Sequence, residues 1–111
     1  RQVVATFKFL TEQFLSSLQK FVPAIGAGVG AGLLLGGRYS SGPATTEFAQ
    51  IAGLKENATD SAWGGNLTLS TRVNGGNMVE ALRIDSAGRV GIGTTLPSTA
   101  LQVLGTVTAT T

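Results

Sequence analysis

The sequence predicts a mainly β, short-stranded module with an N-terminal α-helix, one that buries its apolar surface against other copies of itself. Three observations carry this. Turn signals rich in glycine and asparagine recur at short intervals through the second half of the chain, with alternating segments between them. Glycine is abundant, at 16 of 111 residues. Charged residues make up only 13% against 42% apolar ones, with a positive mean hydropathy. So little polar surface poorly covers a domain of this size, which on its own buries about two-thirds of its unfolded area.

The chain divides into a first segment, 1–25, and a β-rich module, 26–111. Phe7, Phe14 and Phe21 recur every seven residues, with Leu10 three after the first and Leu18 four after the second. This is the apolar stripe of an amphipathic helix over 1–22, with Lys8, Glu12, Gln13, Gln19 and Lys20 off the stripe. Pro23 ends it by driving Val22 out of helical geometry. The stripe either packs on its own domain or meets symmetry mates or a neighbouring protein; three heptads are short for an independent coiled coil.

Residues 21–37 carry no charge over 17 positions, the lower limit for a membrane span. Gly26, Gly28, Gly30 and Gly32 alternate with larger residues. Period two suits a strand, while Gly26–Gly30 and Gly28–Gly32 would also satisfy a GxxxG helix face. A small membrane protein spanning 21–37 is therefore a rival reading, weakened by six glycines in the stretch.

From Leu33 onward the pattern is strands and turns. Gly42-Pro43 marks a turn and 46–54 a strand. In 66–73, Leu67, Leu69, Thr71 and Val73 face one way and Asn66, Thr68, Ser70 and Arg72 the other, which predicts a half-buried strand. Asn74-Gly75-Gly76-Asn77 predicts a hairpin leading into a return strand at 78–84. Asp85-Ser86-Ala87-Gly88 predicts a second turn with Gly88 left-handed. Short strands at 89–92 and 100–103 complete the module, with Pro97 between them. Leu82 and Ile84 share one face, as do Val90 and Ile92. With Phe7, Phe14 and Phe21 they are the candidate core of an oligomer.

Little in the chain suits catalysis. There is no cysteine and no histidine, which removes thiolate chemistry, the usual zinc ligands and the commonest general base. Glu80 and Asp85 are the one close acidic pair late in the chain, and Arg83 and Arg89 stand ready to neutralise them. Gly88-x-x-Gly91-x-Gly93 reverses the dinucleotide-loop order and is followed by Thr-Thr-Leu-Pro instead of a helix. No catalytic, cofactor-binding or metal-binding residues are expected. Net charge is +2 with the basic residues scattered from Arg1 to Arg89, so nucleic acid is not an expected partner. Asn57-Ala-Thr59 and Asn66-Leu-Thr68 match the N-glycosylation acceptor pattern, which is short and common by chance. Trp63 and Tyr39 are aromatics of the kind that stack on sugars or anchor packing; packing is the expected role.

The segment from Ala81 through Ser98, Ala-Leu-Arg-Ile-Asp-Ser-Ala-Gly-Arg-Val-Gly-Ile-Gly-Thr-Thr-Leu-Pro-Ser, is followed by Leu101-Gln-Val-Leu-Gly-Thr106. It resembles the shaft repeat of tailed-phage tail fibres and tailspikes, whose pattern runs MRID-S-G-x-VGIGT-x-x-P and then L-x-V-x-G. The likeness extends upstream over 51–60 and 65–76, and covers about 29–109 in all. It implies a trimeric, intertwined β-structure on a virion appendage or other extracellular fibre. Partners would be the chain's own copies and, through the helix, a neighbouring fibre or virion protein. Gly91 and Gly93 flanking Ile92 would then let three backbones approach an axis. Similar repeats occur in bacterial surface proteins, so a self-assembling bacterial extracellular filament or adhesin subunit is the other reading.

Overall fold

A computed structural model describes residues 27–111. The helix expected over 1–25, with Phe7, Phe14 and Phe21, lies outside the described residues. Six strands follow in chain order: β1 (Gly30–Arg38), β2 (Thr45–Lys55), β3 (Gly65–Arg72), β4 (Met78–Ile84), β5 (Val90–Ile92) and β6 (Leu101–Val103). They form one sheet in sequential order, antiparallel from β1 to β5, with β6 parallel to β5. The fold is thus mainly β.

The turns are where the glycine and asparagine signals fall. Residues 73–77 close the β3–β4 hairpin, with Gly75 at φ 71°. At the β4–β5 turn, Gly88 sits at φ 78°, and Gly88 N donates to Asp85 O at 2.9 Å. The Asp85 carboxylate accepts from the backbone N–H groups of Ala87 and Arg89 and from the Arg89 side chain, at 2.8–3.0 Å. These bonds, led by the Arg89 backbone N–H, hold Asp85 below the usual carboxylate range. Glu80 pairs with Arg83 at 2.7 Å, so each late carboxylate has its own arginine.

The described part of the glycine-rich stretch opens on a turn at 27–28 and continues as a strand. Residues 30–38 form β1, at the sheet edge, and among the described residues no helix is long and apolar enough to cross a membrane. Two irregularities reset the sheet. Phe48 is extra on β2 opposite the Leu35–Gly36 step, and Ala81 is extra on β4 opposite Leu69–Ser70. The Ala81 carbonyl is taken up by Gly93 N at 3.0 Å.

Gly91 has a different reason from the one expected. The β5–β6 connection, 93–100, folds back over β5, and Gly91 is buried beneath it. A Cβ there would lie 2.5 Å from Thr94 O and 3.4 Å from Pro97 Cδ. A Cβ on Gly93 would lie 3.2 Å from Leu104 O. Both glycines make room for their own chain.

Candidate functional site

Directly paired residues of a sheet share a face, so the register reads across all six strands. One row runs Leu33, Ile51, Leu69, Leu82, Ile92, Val103. Beside it runs Ala31, Gly53, Leu67, Ile84, Val90, Leu101. A third row, Leu35, Ala49, Thr71, Val79, adds one hydroxyl. These rows carry no charged residue. The candidate core residues Leu82, Ile84, Val90 and Ile92 lie together on this face, as the pairs Leu82–Ile92 and Ile84–Val90.

The opposite face is polar. Its rows run Gly32, Ala52, Thr68, Arg83, Gly91, Gln102 and Leu34, Gln50, Ser70, Glu80. Burial is inverted relative to chemistry. Ala52 and Thr68 are 3% exposed, sheltered on the polar side, while Leu69, central in the apolar row, is 37% exposed. Among the described residues the only buried apolar side chains are Ala52 and the Pro97 ring, and no large side chain is fully buried. The alternation expected in 66–73 is present, but the half that is covered is the hydroxyl half. A sheet stable in water buries its apolar face on another layer; among the described residues this one has no second layer.

The strand ends differ from each other. At one end, Tyr39, Phe48, Arg72, Val73 and Asn74 line an open cleft of about 550 Å³. Arg72 fixes its wall, with Nε donating to Glu47 O at 2.6 Å and Nη1 to Gly76 O at 3.0 Å. At the other end the 56–64 loop is held by Lys55. Its ammonium donates to Ala62 O at 2.6 Å, Thr59 O at 2.9 Å and Asn57 Oδ1 at 3.4 Å. Asn57 Oδ1 also accepts from Thr59 N, so this acceptor-pattern asparagine is part of the loop's frame. Ser61, at φ 61°, sits in the left-handed region, uncommon for a residue with a Cβ. The loop presents Trp63 96% exposed. Among the described residues Trp63 therefore anchors no packing, and Tyr39 is exposed as well. Lys55 folding back into its own loop, through contacts two to seven residues away, holds this arrangement, and residue type alone does not report it.

A second depression, lined by Glu56, Asn66, Arg83, Asp85, Arg89 and Pro97, is polar. Its arginines are committed to Glu80 and Asp85, and the Ser86 hydroxyl donates to the Glu56 carboxylate. Asn66, the other acceptor-pattern asparagine, is half-buried there on β3. Among the described residues no group of carboxylates is arranged to hold a metal ion. Sequence reasoning missed Leu33, Leu35, Ile51 and Leu101 as members of the apolar face. The i, i+2 spacing of Leu33 and Leu35 was the available signal. Comparison with protein-family models and with curated proteins gives no match to this chain, so the candidate site stands on its geometry.

Proposed function

We propose that this chain is a non-enzymatic structural module of a phage-type fibre, acting as a homotrimer whose apolar sheet faces turn inward. The observation that carries it is the three-row apolar face on a sheet that, among the described residues, has no second layer to cover it. Eight large apolar side chains on that face are exposed: Leu33, Leu35, Ile51, Leu67, Leu69, Val79, Ile92 and Leu101. Covering the exposed half of each contributes roughly 1 kcal/mol, or about 8 kcal/mol per chain, taking about 2 kcal/mol for full burial of such a side chain. That matches the whole stability of a small domain, so association and folding of the module are one event.

Three such faces turned toward a common axis enclose a dry core, and the polar faces then meet water. The role is mechanical: a stiff spacer in a virion appendage or extracellular fibre, with multivalency supplied by copy number. The test is the mass in solution without detergent. Light scattering at micromolar concentration is expected to give three chains, and Ile92→Asp, in the middle row, to give one. A wild-type monomer, or an unchanged trimer of Ile92→Asp, refutes the reading.

A further inference from the structure

Resting on the homotrimer reading, we infer that Trp63 of one copy docks in the cleft lined by Tyr39, Phe48 and Val73 of the next, closing the ring of sheets. The two features lie at opposite ends of the same strands. Lys55 pairs with Gly65 beside the tryptophan loop, and Arg38 pairs with Thr45 at the cleft end. Strand β2 has 11 residues between them, which at about 3.4 Å per residue separates the ends by roughly 35 Å. A chain cannot fill its own cleft with its own Trp63.

Place the axis along the hydrogen-bonding direction, as a spacer that lengthens strand by strand requires, with the apolar faces inward. The strand ends of each sheet then abut the opposite strand ends of its neighbour. Both features also sit at the same height. The tryptophan loop joins β2 to β3, and the cleft is lined from the β1–β2 turn, β2 and the end of β3. Such a contact is heterologous, and a rotation that returns to its start closes it into a ring.

The chemistry agrees with the placement. An indole on a loop braced by three bonds from one ammonium loses little freedom on docking. The receiving cleft offers two aromatic rings and Val73 as an apolar bed, and at about 550 Å³ it has room for the ring. Charge matches too. Residues 55–64 hold Lys55 against Glu56 and Asp60, an excess of one negative charge; the cleft end holds Arg38 and Arg72 against Glu47, an excess of one positive charge.

The sole tryptophan makes the contact directly readable in the full chain. In the assembled protein its emission is expected to be blue-shifted and shielded from iodide. Val73→Asp, at an exposed position of the cleft, is expected to return it to the water-exposed spectrum. Trp63→Ala is expected to raise the concentration for half-assembly about tenfold or more, as loss of a buried aromatic anchor does. A second measurement uses the absence of cysteine. Asp60→Cys combined with Asn74→Cys cannot form a disulfide within one chain, since bridged Cα atoms lie within about 7 Å. Oxidation is expected to give a covalent ladder that stops at three chains. A trimer whose tryptophan stays water-exposed, or that forms no ladder, overturns this inference and leaves the homotrimer reading standing. A ladder that continues past three overturns the closed ring. A monomeric wild-type chain overturns both.

Discussion

Single residues at the β4–β5 turn and under the 93–100 connection hold the later half of the sheet in shape. The Asp85 carboxylate is held below the usual range by the Arg89 N–H and, after it, the Arg89 side chain. A depressed folded value means its contribution is fully present above the unfolded value of about 3.9 and is lost as pH falls through the lower folded value. Thermal melts taken from neutral pH downward should show the midpoint dropping below about pH 4. Asp85→Asn keeps an oxygen for the turn's N–H groups but no charge, and should flatten that part of the profile. At Gly91 the limit is space: a Cβ 2.5 Å from Thr94 O must displace the connection that covers it. Gly91→Ala should therefore lower stability by about 1–3 kcal/mol, the range for overpacking. An unchanged melting temperature would mean that the connection does not rest on β5.

At the scale of elements, what the sequence disclosed and what it hid have different physical origins. The strand at Met78–Ile84, the hairpin at 73–77 and the left-handed Gly88 were readable because period-two alternation and positive-φ residues are local signals. Over β1 alternating glycine satisfies both the strand and the membrane-helix pattern, and pairing with β2 decides between them. The apolar rows were not readable across the sheet. Phe48 and Ala81 each insert one residue, and each insertion exchanges faces beyond it. Leu82 and Ile92 were recognised as apolar positions on their own strands, but their juxtaposition with Leu33, Ile51 and Leu69 depends on those insertions. The division into an N-terminal segment and a β-module carries its own prediction. Described strand pairing and turn bonds run from Gly28 N to Leu104 N. Deleting residues 1–25 should therefore leave β-structure by circular dichroism while abolishing end-to-end assembly or attachment to a larger particle. Loss of the β signal would make that segment part of the module's own core.

For the whole molecule the decisive property is that its two faces differ in chemistry while its burial favours the wrong one. The edge strand β1 allows this to be tested with two adjacent residues. Leu33 lies in the apolar row with Ile51 and Leu69, while Leu34 lies in the polar row with Gln50 and Ser70. Both are leucines, both are exposed in the single chain, and they share a strand. Both positions lie on the same edge strand, so edge position does not distinguish them; what differs is the face each one occupies. They part company only on assembly. With the apolar faces turned inward, Leu33→Asp puts a carboxylate from every copy into a water-excluded core, at an effective cost of several kcal/mol per unpaired ion. Leu34→Asp puts the same group in solvent beside Gln50. Leu33→Asp should thus be monomeric at concentrations where the wild type is fully assembled, and Leu34→Asp should assemble with nearly wild-type affinity. Sedimentation of the two variants side by side separates the possibilities. Equal behaviour would show that the apolar face is not what the copies share, and the reverse order would place the polar face at the axis.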